Sequence, residues 1–156
     1  MKGYDDNVSS DLASLDSVQI EALDRNAASG KAKEYYENVQ VTRATVYRNK
    51  LYGRVGNFLE EHQVEITVHE NEISSSCTCG EARNICKHAI ALLYSWVNDG
   101  RDFRNIGKTL IEIKKMDKER LLEIVSNIIR LHPDFIDLFL ARQRPDWDEI
   151  DPDPAL

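Results

Sequence analysis

With 156 residues, 42% of them hydrophobic and 30% charged, the chain has the length and composition of one globular domain with a real core. No apolar run approaches the roughly 18 residues of a membrane span, and Met1-Lys2-Gly3-Tyr4-Asp5-Asp6 lacks an apolar signal core. The net charge of −7 sits at the ends: residues 1–30 and 143–156 are each −4, which leaves 31–142 at +1 and weighs against autonomous, tight nucleic-acid binding.

In chain order, Leu12, Leu15, Val18 and Leu23 predict a short amphipathic helix, closed by a break at Ala27-Ala28-Ser29-Gly30. Lys31 to Asn38 predicts a second short helix, bearing Tyr35 and Tyr36. From Val39 the character is β. Val39–Tyr47, Leu51–Phe58 and Gln63–His69 are β-branched and aromatic runs, with Arg48-Asn49-Lys50 as the first turn and Asn71 starting another. Ile73–Cys77 predicts a last short strand. The pattern is an antiparallel meander.

The meander leads into the three cysteines of the chain. Cys77-Thr78-Cys79, six residues, then Cys86-Lys87-His88 reads C-x-C-x6-C-x-H. Three thiolates and one imidazole form a standard tetrahedral set for structural zinc. Residues two apart on an extended chain face the same side, so Cys77 and Cys79 can share an ion, and Gly80 permits the turn that follows. On a helix, Cys86 and His88 would lie about 200° apart, so Cys86 is expected just before a helix and His88 in its first turn. Ala89 to Val97 is that helix, ended by Asn98-Asp99-Gly100. An odd cysteine count argues against a disulfide framework, and a redox C-x-C pair would leave Cys86 and His88 unexplained. Four protein ligands leave no open position, so the zinc is expected to be structural. Lys87 and Arg83 are placed to offset the net negative charge of Zn²⁺ with three thiolates.

Beyond Gly100 the pattern is helical. Leu110, Ile111 and Ile113 predict one short helix. Asp117 is an N-cap candidate for a second, with Leu121, Leu122, Ile124, Val125, Ile128, Ile129 and Leu131 at helical spacing. Pro133 suits the first turn of a third, carrying Phe135 and Phe139. These helices are too apolar to stand alone and are expected to pack on the finger helix. The organisation expected is an acidic N-terminal segment (1–30), a zinc-binding domain (31–100), C-terminal helices (101–142) and an acidic, disordered tail (143–156). The fold class is α+β.

The C-x-C…C-x-H signature, with strands before it and an apolar helix after it, resembles the SWIM-type zinc finger of small prokaryotic proteins. Tyr35-Tyr36-x-x-Val39, Gly53-Arg54-Val55-Gly56 and Val64-x-Ile66-x-Val68 are similar to the β-rich lead-in of that family. Asp117 to Leu122 and His132-Pro133-Asp134-Phe135 look like the helical segment that often follows it. The resemblance implies Cys77, Cys79, Cys86 and His88 as ligands of one structural zinc. SWIM fingers occur in Swi/Snf-type ATPases, in Mutator-type transposases and in small partners of recombinase paralogues. The resemblance therefore implies an interaction module in nucleic-acid metabolism, DNA repair included. No Gly-rich loop followed by Lys-Ser or Lys-Thr is present, so any ATPase involved is another chain.

Two further surfaces stand out. Residues 31–58 are net +4, and within them Arg43, Tyr47, Arg48, Lys50, Tyr52 and Arg54 interleave cations with aromatic rings, as a nucleic-acid ribbon would. The plainer reading is a solvated sheet face. Phe135, Phe139 and Trp147 are apolar anchors for a protein partner. His62, His69 and His132 are expected to have no metal or catalytic role, and Ser74-Ser75-Ser76 has no general base near it in sequence. The expectation is an adaptor, not an enzyme, that docks on a protein partner such as a recombinase paralogue or helicase-like ATPase. Direct DNA or RNA binding is the alternative. A reducing intracellular compartment, the cytoplasm or a eukaryotic nucleus, suits its free thiols, and neither a membrane nor a small-molecule substrate is expected.

Overall fold

The computed structural model describes residues 8–81 and 85–140. Expectations for Arg83, Trp147 and the tail from 143 to 156 lie outside these residues. The chain divides after Lys108 into two compact units.

The first unit is α+β. Three short helices, α1 (Ser10–Ala13), α2 (Ser17–Ala27) and α3 (Lys31–Asn38), precede four strands: β1 (Gln40–Tyr47), β2 (Lys50–Gly56), β3 (Glu61–His69) and β4 (Glu72–Cys77). Helix α4 (Lys87–Asp99) and a two-residue strand β5 (Arg104–Asn105) complete it. The sheet order is β4-β3-β2-β1-β5, antiparallel from β4 to β1, with β5 parallel to β1. β5 was not anticipated, because two residues are too short to show an alternation of period two.

Alternation along the strands sets the faces. Val46, Leu51, Val55, Val64, Ile66 and Val68 are buried on the inner face, where α4 packs. The contact is close: a Cβ on Gly53 would come within 2.7 Å of Leu92 Cδ1. From Ala89 to Trp96 every residue of α4 is buried, as its apolar circumference requires. The outer face bears Thr45, Tyr47, Lys50, Tyr52, Arg54, Glu65 and Ser76. Strand β1 bulges between Thr42 and Thr45, where Arg43 takes a φ of 52°.

Part of the segment before residue 30 belongs to this core. Leu12, Leu15 and Ile20 are buried, and Trp96 Nε1 donates to the Leu12 carbonyl at 3.0 Å. Asp16 and Gln19 form a reciprocal cap on α2. The buried Asp24 carboxylate accepts from the backbone N–H of Ala32 and of Lys33, each at 3.0 Å, and from the Tyr94 hydroxyl at 3.1 Å. One side chain thus caps α3 and ties α2 to α4.

The strand expected to run to Phe58 ends at Gly56 instead. The Asn57 side chain accepts from Leu59 N at 2.9 Å and Glu60 N at 3.2 Å, and Asn57 N donates back to the Glu60 carbonyl at 2.9 Å. A Cβ on Gly56 would collide with that carbonyl. This tight turn projects Phe58 and Leu59 fully into solvent.

The second unit, from Thr109, takes in the end of α5 (Ile106–Lys114), then α6 (Lys118–Leu131), a 3-10 turn at Pro133–Ile136 and α7 (Asp137–Leu140). Asp117 caps α6, accepting from Arg120 N at 2.8 Å, as expected. His132 stacks on Phe135. No residue of α6, the turn or α7 is buried.

Candidate metal centre

Strand β4 delivers Cys77 at its last position, and Cys79 follows two residues later. Gly80 has a φ of 78°, the left-handed turn for which glycine is suited. Cys86 is the N-cap of α4, in extended backbone, and His88 lies in the first turn. The helix that would have separated Cys86 from His88 therefore begins only after Cys86, as their spacing demanded.

The three sulfurs and a ring nitrogen of His88 all lie within 4.8 Å of one another, with Cys77 Sγ 3.7 Å from His88 Nδ1. That clustering and the soft donor set fit one tetrahedral zinc, whose bonds of about 2.0–2.3 Å hold its ligands at such separations. All four positions come from the protein, so the ion is structural.

The electrostatics of the site point the same way. Burial first, then the neighbouring thiols, pushes the Cys77 thiol up to about 12. Burial also raises Cys86, against a lowering hydrogen bond from the Ala89 backbone. Burial, with His62 and Lys87 adding to it, lowers His88 to about 4, so its ring is neutral at physiological pH and free to ligate. Thiols this costly to ionise become thiolates when a divalent cation supplies the compensating charge.

Around the ligands lies a second ring of side chains. His62 packs its ring on His88, with centroids 4.0 Å apart, and its Nε2–H donates to Glu60 Oε1 at 3.0 Å. Tyr35 meets His88 edge-on at 5.2 Å, and Lys87 Nζ sits 4.7 Å from the centre of the Tyr35 ring. His62, for which no metal or catalytic role was expected, is not among the four clustered ligands, and its contact with the ligand His88 was not anticipated. It lies 26 positions from His88, and the only signal for it was its even spacing with the inward-facing Val64 and Ile66. A cleft of about 820 Å³ beside the site is lined by Lys31, Cys79, Ile85 and Lys87.

Residues 62–96 match the SWIM zinc finger. The matched stretch runs from His62 through β3, β4 and the four ligands to Trp96, near the end of α4. The matched stretch is therefore a β-hairpin and a helix with the four-ligand cluster between them. No curated protein and no solved structure matches the chain.

None of the other candidate residues belongs to the four-ligand cluster. Tyr47, Lys50, Tyr52 and Arg54 share the outer face of the sheet, with Arg43 on the bulge. Lys50 pairs with Glu65 at 2.6 Å and Arg54 with Glu61 at 3.1 Å, which neutralises two of the ribbon's cations. The Arg48 guanidinium lies over the Tyr47 ring, 5.2 Å from its centre. Arg43, Tyr52 and Arg54 line one shallow cleft with Gln63, Ser76 and Thr78. Phe135 and Phe139 are exposed in the second unit.

Proposed function

We propose that this chain is a zinc-stabilised adaptor with no catalytic step of its own, which docks on a protein partner in nucleic-acid metabolism. A recombinase paralogue or a helicase-like ATPase has the chemistry the family resemblance implies. The observation that carries the reading is the pairing of a closed, four-ligand metal site with large apolar side chains held in solvent. Phe58 and Leu59 project from a turn that Asn57 locks, four and three residues ahead of His62, whose ring packs on the metal ligand His88. Phe135 and Phe139 offer further apolar contact. Acidic Glu60 and Glu61 border the tip, which suits a protein pocket with a basic rim better than a phosphate backbone. Among the described residues no helix is long and apolar enough to cross a membrane.

Affinity purification from the native cell tests the reading. The wild-type chain is expected to bring down a defined partner, and a Phe58→Ser, Leu59→Ser variant with full zinc content to lose it. A wild-type chain that co-purifies with nothing overturns it.

The cleft shared by Arg43, Tyr52 and Arg54 supports the second reading, direct binding of DNA or RNA. No ion pair engages Arg43 among the described residues. Titration with single- and double-stranded oligonucleotides at low and moderate salt separates the two readings, because phosphate contacts weaken steeply with salt.

A further inference from the structure

We propose that Glu60 and His62 form a strut between the zinc ligand His88 and the exposed tip, so that the tip steadies the metal ligand and the metal site holds the tip in shape. This deepens the adaptor reading, since it rests on Phe58 and Leu59 as the docking element and makes their geometry depend on the metal site.

The strut can be followed contact by contact. His88 turns Nδ1 toward the ligand cluster, 3.7 Å from Cys77 Sγ. The His62 ring lies on the His88 ring, with centroids 4.0 Å apart and planes inclined by 33°. His62 Nε2–H then donates to Glu60 Oε1 at 3.0 Å. Glu60 in turn closes the tip. Its backbone N–H donates to the Asn57 side chain at 3.2 Å, and its carbonyl accepts from Asn57 N at 2.9 Å. Phe58 and Leu59 are the residues those two bonds enclose.

His88 needs such support. It is buried, yet among the described residues no hydrogen bond engages its Nε2. A histidine that ligates a metal is usually oriented by a hydrogen bond from its second ring nitrogen. Here that task falls to the rings packed on it, His62 and Tyr35.

The residue type at position 62 points the same way. His62 opens the row that continues inward as Val64, Ile66 and Val68, and it is the polar member of that row. Its side chain is only 12% exposed, whereas that of Glu60 is 74% exposed. A valine at 62 would extend the apolar row but could not hold the Glu60 carboxylate. An imidazole does both, with a flat face for the ligand and an N–H for the tip.

The test uses the purified, zinc-loaded full chain and two readouts. One is the rate of zinc transfer to a chromogenic chelator. The other is hydrogen exchange, by NMR, at the Leu59 and Glu60 amides that Asn57 holds. Glu60→Ala should speed zinc release about threefold, the scale of one exposed hydrogen bond. Glu60→Gln, which can still accept from His62, should release zinc no faster than wild type. His62→Phe keeps a ring on His88 and loses the bond to Glu60. It should release zinc as wild type does, while the two tip amides exchange about threefold faster. Glu60→Ala with a wild-type release rate overturns the proposal. So does Glu60→Gln releasing zinc as fast as Glu60→Ala, which would make Glu60 a charge and not a strut. Unaltered tip exchange in His62→Phe overturns it as well, and should that variant not load zinc, the Glu60 pair decides alone. No partner enters either readout, so failure here is distinct from failure of partner capture and leaves the adaptor reading standing.

Discussion

His88 is clamped. His62 covers one side of its ring, Tyr35 meets it edge-on, and Cys77 Sγ lies 3.7 Å from its Nδ1. Such outer contacts fix the direction of a ligand's lone pair and so tune metal affinity. Tyr35→Phe, which keeps the ring, should leave zinc release to a chelator unchanged. Tyr35→Ala should speed it by about tenfold or more, as followed with a chromogenic chelator. Cys79→Ser and His88→Ala should each abolish the one-per-chain zinc and most of the cooperative unfolding transition, and Lys87→Ala should preserve both. Elemental analysis that finds no zinc in folded wild-type protein would refute the assignment. Tyr94 gives a separate signature. Burial and the bond to Asp24 push its hydroxyl from 10.0 up to about 12. The folded state therefore holds that proton longer than the unfolded chain does. Its contribution is complete below pH 10 and is lost as pH rises toward 12, by at most about 2–3 kcal/mol. Tyr94→Phe should be less stable at pH 8 by about 1 kcal/mol and should show a flatter alkaline decline in urea titrations.

Among the elements, the β2–β3 hairpin combines a regular register with an irregular tip. Its strands were legible because Val64, Ile66 and Val68 alternate, and the ligands because C-x-C and C-x-H have only one arrangement that lets all four face an ion. The tip was not legible. Phe58 continues the β-like composition of Leu51–Val55, and only the bonds made by Asn57 show that the strand stops at Gly56. Gly56→Ala should destabilise the hairpin by about 1–3 kcal/mol, as overpacking against a backbone carbonyl does, measured as a shift in urea midpoint. The outer ribbon was legible as composition but not as ion pairs, because Glu65 and Glu61 lie on a different strand from Lys50 and Arg54. If the ribbon binds oligonucleotides, Arg43→Ala should weaken binding and flatten its salt dependence. Lys50→Ala should do less, because Lys50 is already engaged by Glu65.

For the molecule as a whole, the metal joins the end of the sheet to the start of α4, so the zinc site and the core form together. Chelation should therefore collapse the cooperative transition of the first unit, since structural zinc contributes on the order of 10 kcal/mol to folding. Circular dichroism before and after a chelator, with recovery on adding zinc, reads this out. Charge separation pointed to residues before 30 as a segment apart. It concealed their place in the core because Leu12, Leu15 and Ile20 are sparse among acidic residues. Their partners, Tyr94 and Trp96, are seventy positions or more away, beyond any local pattern.

That separation has a consequence during synthesis. The 84 residues between Leu12 and Trp96 take on the order of ten seconds to translate at about 5–20 residues per second. Meanwhile the meander can pair locally and collect its first two thiolates, but α1 and α2 still lack α4, which supplies Trp96 and Tyr94. A segment that leaves the ribosome well ahead of α4 is thus among the last to find its place. Nascent chains stalled before Trp96 emerges should be cut by protease between residues 8 and 27, and chains stalled well after it should resist.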